Sequence, residues 1–253
     1  MSEALLEIRG MCKQFGGLRV TDDLHLQVRP REVHALIGPN GAGKTTLVNL
    51  LTGVLRPSSG HVRFQGVDVT AQRPFEAARR GLARTFQIVQ PFPKMTVLEN
   101  VAAAALFGGK QASVAAATAA AREQLEFTGL TPLADRSAAA LTLAGRKRLE
   151  LAKSMAMNPK VLMLDEVNAG LNSGEIDGAL RLIRQIADRG VTILVIEHLM
   201  KVVMSLAQRV LVLHHGQLIA EGSANEIVRD QRVVEAYLGE KFARRFAGGA
   251  ANG

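Results

Sequence analysis

The sequence predicts an α/β fold on a largely parallel sheet, with an antiparallel β portion near the N-terminal end and an inserted helical segment. Three observations carry this. Short β-rich runs alternate with helical periodicity along most of the 253 residues, the pattern of strands joined by crossover helices. A glycine-rich loop stands between a strand-like run and a helical run near residue 40. From about residue 96 to residue 157 strand signals cease and only helix formers remain.

Residues 5–9, 24–28 and 62–65 read as strands and turns of the antiparallel portion. Val33–Ile37, apolar except for His34, reads as a buried strand, and residues 161–164, 191–196 and 210–213 are of the same kind. Residues 175–188 set Ile176, Leu180, Ile183 and Ile186 at helical spacing, a helix laid against the sheet. The alanine-heavy stretch 102–121 is interrupted by Phe107-Gly108-Gly109-Lys110 and followed by Leu125, Phe127, Leu130 and Leu133. Those apolar neighbours argue for short packed helices rather than a linker. One domain over 1–253 is expected, with a helical subdomain at about 88–158 inserted in its core.

Composition narrows the function classes. With 47% hydrophobic and 21% charged residues the chain is globular, not disordered. Cys12 is the single cysteine, which excludes an internal disulfide and a four-cysteine zinc site and is compatible with a reducing compartment. No run of eighteen apolar residues occurs, so no transmembrane span is expected. Met1-Ser2-Glu3-Ala4 offers neither a basic n-region nor an apolar h-region, so no secretory signal is expected. A net charge of +8 and a pI near 10.1 suit nucleic acid, an anionic membrane face or phosphates. With no Trp, one Tyr and nine Phe, base stacking is not the chain's main business.

Phosphate is where the motifs point. Gly38-Pro39-Asn40-Gly41-Ala42-Gly43-Lys44-Thr45-Thr46 fits G-x-x-x-x-G-K-[ST] between a strand and a helical run starting at Lys44, the context of a P-loop. Glycines let backbone amides approach phosphate oxygens at a helix N-terminus that already favours anions. Lys44 then neutralises the β- and γ-phosphates, and the Thr45 hydroxyl coordinates Mg²⁺. Val161-Leu162-Met163-Leu164-Asp165-Glu166 is an apolar strand ending in two acids. A carboxylate there sits where α/β sheets bind ligands, so Asp165 can hold the metal shell. Glu166 is placed to orient or deprotonate a water.

With the stretch Leu141-Thr142-Leu143-Ala144-Gly145-Arg146-Lys147-Arg148-Leu149-Glu150-Leu151-Ala152, these motifs resemble the ABC-type ATPases over nearly the whole chain. The resemblance implies a P-loop NTPase core, ATP and Mg²⁺ as cofactors, and roles position by position. Phe15 would stack on adenine. Gln87, ending Ala83-Arg84-Thr85-Phe86-Gln87, would touch Mg²⁺ or water and report to a membrane domain. His198 would contact the γ-phosphate. Asn172, in Ala169-Gly170-Leu171-Asn172, stands where most relatives carry Asp. Thr142, Ala144 and Gly145 fall in the signature that serves a nucleotide held by a second subunit.

The signature departs from the family's Leu-Ser-Gly-Gly-Gln. Leu143 and Ala144 replace two glycines, Gly145 replaces the glutamine, and Val167 replaces the proline that usually follows the catalytic glutamate. The segments 79–87, 95–100 and 169–172, and the late Ala236-Tyr237-Leu238-Gly239-Glu240, resemble ATP-binding subunits of branched-chain amino acid importers. That resemblance implies a second, different ATPase subunit, two membrane-spanning permease subunits and, indirectly, a solute-binding protein outside the membrane. It implies a cytoplasmic chain peripheral to the inner membrane face, with no nucleic acid as partner. It leaves the solute open, since family substrates extend to amides, urea and small carboxylates. The alternatives are a soluble ABC ATPase acting on nucleic acid, which usually has tandem cassettes, and an exporter ATPase for lipid or lipopolysaccharide.

Overall fold

The structure, a computed structural model, describes residues 4–85, 91–166 and 168–238. In chain order it begins with β1 (Leu6–Phe15), β2 (Leu18–Val28), β3 (Val33–Ile37), α1 (Lys44–Leu51), β4 (Ser59–Phe64) and β5 (Val67–Asp68). There follow α2 (Pro74–Arg80), β6 (Leu82–Arg84), α3 (Val97–Phe107), α4 (Val114–Phe127), α5 (Leu143–Ala156) and β7 (Val161–Asp165). The last elements are α6 (Ser173–Asp188), β8 (Thr192–Ile196), α7 (Met200–Leu206), β9 (Arg209–His214), β10 (Gln217–Gly222), α8 (Ala224–Ile227) and α9 (Gln231–Leu238). Two compact units divide the chain: residues 1–71 with 194–253, and residues 72–193.

The first unit holds an antiparallel sheet in the order β2-β1-β4-β5. Its strands alternate buried and exposed residues, as a half-buried sheet requires. In the same unit β3 pairs parallel with β9, His34 opposite Arg209 and Ile37 opposite Val212, and β9 pairs antiparallel with β10. Every residue of β3 is buried, His34 included, so the strand is buried as its sequence indicates. β1 and β2 run well past the expected 5–9 and 24–28. Their extensions carry Gln14 and Arg19 exposed and Lys13 and Asp22 half-buried, and polar residues mute the strand signal.

In the second unit β6 pairs parallel with β7, Leu82 opposite Val161 and Arg84 opposite Met163. β6 has three residues, too few for periodicity to reveal. The alanine-heavy stretch is the interior of a helical cluster. Val97, Val101 and Ala105 of α3, Ala117, Ala121 and Leu125 of α4, and Leu149, Ala152 and Ala156 of α5 form one buried core. Alanine keeps the backbones close where larger side chains would separate them. The helices start where their caps dictate: Thr96, Ser113 and Thr142 each accept a hydrogen bond from the third residue onward. Asn172 does the same for α6, and Glu175 returns the bond to its amide. Asparagine in place of the usual aspartate therefore keeps this cap intact.

His34 is fully buried in β3, and its Nε2 accepts the Arg29 N–H at 3.0 Å. Burial is the main cause that holds its pKa below the ordinary histidine value, against upward pulls from the Arg29 backbone and Glu32. The folded chain thus keeps His34 neutral where the unfolded chain takes a proton below about pH 6.5. Its contribution is complete above that pH and is lost as pH falls toward the depressed folded value. The melting temperature is expected to drop between pH 7.5 and 5.5, less steeply in His34→Gln. His214, lowered by burial and by His215, acts with the same sign. A variant slope equal to the wild type would assign the whole effect to His214.

Candidate functional site

The loop 38–46 follows β3 and opens α1. Its path depends on two glycines. Gly38 has φ 153°, and a Cβ there would stand 2.2 Å from the Leu213 carbonyl oxygen. Gly43, the N-cap of α1, has φ 100°, and its Cβ would meet the Val20 carbonyl at 2.9 Å. Only glycine permits both the left-handed backbone and the approach. No side chain caps α1 and no acid lies in its first turn, so the positive end of the helix faces the loop undiluted. Lys44 Nζ donates to the carbonyls of Gly38 at 2.7 Å and Pro39 at 3.0 Å. Thr45 is exposed and Thr46 half-buried.

Phe15 ends β1 beside the turn to β2, 45% exposed, with Lys13 Nζ 4.9 Å from its ring centroid. A ring so placed is available for stacking. His198 is exposed in the loop between β8 and α7, and the preceding Glu197 is buried. Its amide donates to Leu36 O of β3 at 3.4 Å. Phe15, the 38–46 loop and His198 all belong to the first unit.

Asp165 and Glu166 belong to the second. Asp165 is buried at the end of β7, its amide donating to the Thr85 hydroxyl at 3.3 Å. Burial pushes the Arg84 guanidinium below its ordinary pKa, and the Asp165 charge partly restores it. Glu166 is half-buried with φ 47°, a left-handed backbone that a non-glycine residue adopts at a cost of roughly 1–3 kcal/mol. Two donors hold that peptide: Lys147 Nζ at 3.2 Å and Ala169 N at 3.1 Å, both to the Glu166 carbonyl. Lys147 comes from α5 and is itself buried. Its neighbour Arg146 donates instead to the carbonyls of Leu141 and Ala139.

The signature begins α5. Thr142 is its N-cap and accepts from Gly145 N at 3.2 Å. Ala144 and Gly145 are helical, neither with a positive φ, so alanine brings no backbone strain at 144. Its methyl lines a small cavity with Lys147, Leu171 and Glu175. Gln87 and Val167 lie outside the described residues.

A second concavity in this unit is apolar, with a volume of about 460 Å³, between α2, α3 and α5. Phe75, Phe92 and Phe107 line it and are 50%, 56% and 69% exposed. Arg73 and Arg79 stack against Phe75 at 4.6 and 5.9 Å, and Lys153 lies 5.9 Å from the Phe92 ring. Sequence reading missed the groove because its aromatics, Phe75, Phe92 and Phe107, stand fifteen or more residues apart with no shared period.

A glycine-pinned P-loop on a parallel sheet, with acids closing a buried strand, defines a nucleotide-hydrolysing α/β protein. Residues 21–169 match the ABC transporter family, and the chain belongs to that family of ATP-binding cassettes. Residues 217–243 match a second family, the branched-chain amino acid ATP-binding cassette transporters. The chain is 39% identical to the high-affinity branched-chain amino acid transport ATP-binding protein BraF of Pseudomonas aeruginosa, over 95% of its length and all of BraF. Identity and coverage are the same for LivG of Escherichia coli K12. Among solved structures, a nucleotide-free ATP-binding cassette from an ABC transporter superposes with a TM-score of 0.85 at 31% identity, covering 94% of this chain and 100% of that one. The ADP conformation of MJ1267 gives 0.84 at 32% identity, with the same coverage.

The hold on Glu166 is testable. Lys147→Met keeps the buried stem and removes the donor, freeing the strained peptide. ATP turnover is expected to fall about tenfold or more, because small displacements of a reacting group are costly, with ATP affinity within twofold of wild type. Steady-state phosphate release beside equilibrium ATP binding checks this, and unchanged turnover contradicts it.

Proposed function

We propose that the chain is the ATP-hydrolysing subunit of an importer for branched-chain or related amino acids, a single cassette with a helical insertion. The observation that carries the solute class is the match of residues 217–243 to the branched-chain transporter family, joined to the 39% identity with transport proteins of that kind.

In this reading the amides of 38–46 and the α1 N-terminus bind the phosphates, Lys44 neutralises them, and Phe15 stacks on the base. The residues present suit Mg²⁺. Thr45 and Asp165 are hard oxygen donors, and Mg²⁺ commonly takes one or two protein oxygens and completes its shell with phosphates and water. Gln87 is the third candidate contact. When bound, Mg²⁺ supplies charge neutralisation on the β- and γ-phosphates. Glu166 accepts a proton from the attacking water, and His198 orients the γ-phosphate. Thr142, Ala144 and Gly145 serve the nucleotide of a second, different ATPase subunit. Because Ala144 is helical and unstrained, what the altered signature changes is approach and hydrogen bonding, not backbone conformation.

The apolar groove supports docking on two permease subunits. Three exposed phenylalanines on one concavity are costly to leave in water and suit an amphipathic helix of a membrane partner. No helix among the described residues is long and apolar enough to cross a membrane. The net charge of +8 suits a chain held at an anionic inner membrane face, with a solute-binding protein engaged on the far side.

Lys44→Ala is expected to abolish ATP binding in calorimetric titration with Mg²⁺, whereas wild-type affinity would sink the assignment of the loop. Glu166→Gln keeps the shape and removes the base. ATP should still bind while hydrolysis falls by about 10²–10⁴, and survival of turnover within a few-fold would require another base. Phe107→Ser with Phe92→Ser should leave ATP affinity intact and lower the yield of permease complex in co-purification. Wild-type yield would place the permease elsewhere.

A further inference from the structure

Phe15 ends a strand whose ladder slips. The pairing of β1 with β2 shifts register between Met11 and Lys13 and again between Lys13 and Gln14. Such irregularities re-aim side chains near the end of a ladder. Lys13 Nζ comes to lie 4.9 Å from the centroid of the Phe15 ring, within the roughly 6 Å at which an ammonium is held by the negative face of an aromatic. Both residues belong to the first unit.

Lys13 is tied down independently of the ring. Its Nζ donates to Arg56 O at 2.8 Å. The strand on either side of it is bound to the same stretch ahead of β4: Ser58 N donates to Cys12 O at 2.8 Å, and the Ser58 hydroxyl accepts from Gln14 N at 3.1 Å. Gln14 Nε2 closes the turn to β2 by donating to Gly16 O at 2.8 Å. Lys13 is half-buried, and no carboxylate pairs with it among the described residues, so its charge is answered by a carbonyl and a ring. Phe15 nonetheless stays 45% exposed. One face of the ring carries the cation, and stacking falls to the other.

We propose that Lys13 is a positioning residue of the nucleotide site, which holds the Phe15 ring by one face so that the base of ATP stacks on the other. This rests on the reading of Phe15 as the ring that stacks on the base. An exposed phenylalanine left to itself rotates about its side-chain bonds, and a base that must order it gives up part of the stacking energy. A ring already held by a pinned ammonium loses less. The effect falls on ATP affinity rather than on the chemical step, because Lys13 acts through Phe15, which serves the base and no reacting atom.

The test is Lys13→Met in the full chain, which keeps most of the stem and removes the charge, beside Lys13→Arg, which keeps a cation able to lie on the ring. ATP with Mg²⁺ is titrated calorimetrically into each, and into Phe15→Leu with and without Lys13→Met. Lys13→Met is expected to bind ATP about 2–5-fold more weakly, the worth of one exposed cation–π contact, with Lys13→Arg at the wild-type affinity. In the assembled transporter the KM of Lys13→Met for ATP should rise by a similar factor, with kcat unchanged. In the Phe15→Leu background Lys13→Met should cost nothing further, since residues that act through one another do not add. Wild-type affinity in Lys13→Met, with Phe15→Leu weakened, overturns the role of Lys13 and leaves Phe15 standing. An equal loss in both backgrounds also overturns it, because the lysine then acts on the phosphates or on the fold without the ring. So does a loss in Lys13→Arg as large as in Lys13→Met, or a fall in kcat with KM unchanged. Wild-type affinity in Phe15→Leu overturns the stacking reading itself.

Discussion

Backbone carbonyls of β2 and of β9 press against the nucleotide loop so closely that Gly38 and Gly43 have no room for a Cβ. That confinement is the constraint on which the chemistry rests. Amides recognise phosphate only if their directions are set in advance, and a loop of this length left to itself would sample many. Here sheet strands on one side and the capless start of α1 on the other restrict it. The same packing explains why Lys44 finds partners within its own loop, at the carbonyls of Gly38 and Pro39. The cation is kept close to where phosphate charge would enter, on a flexible stem that can exchange carbonyl for phosphate oxygen.

The second unit uses strain where the first uses confinement. Glu166 stands at the end of a fully buried strand with a left-handed backbone, and Lys147 and Ala169 hold its carbonyl. Asp165 beside it is fixed differently, by burial and the Thr85 hydroxyl. Two adjacent acids thus acquire different surroundings, the condition under which they can take different tasks. The buried lysine that holds one of them comes from α5, the helix that opens at Thr142, so that segment and Glu166 share a physical connection inside one unit. Thr142 caps that helix as serine would, and the losses at 143–145 leave its fold intact.

Hydrophobic burial holds the helical core of the second unit together, and the same unit leaves three phenylalanines uncovered. The contrast is informative. Alanine-lined contacts among α3, α4 and α5 are as dry as the sheet, whereas Phe75, Phe92 and Phe107 face a groove whose rim carries Arg73, Arg79 and Lys153. Apolar floor and cationic rim together suit the proposed docking of a permease segment with an apolar face and acidic flanks.

Local chemistry made much of this readable in one dimension. The P-loop, the acidic strand end and the buried strands at 33–37 and 161–164 each lie within a few consecutive residues, because each depends on backbone geometry or on a short period. Family resemblance supplied Phe15, Gln87 and His198, whose types alone mean little. What tertiary structure decided is what distant segments do to one another. Neither the three-residue β6 nor the solvent-facing ends of β1 and β2 carry a pattern strong enough to read. Lys147 carries no signal of its own in the sequence until α5 brings it to a carbonyl nineteen residues on. A sequence specifies which backbones can bend and which faces must be buried; which carbonyl a given donor reaches is settled only when those faces pack.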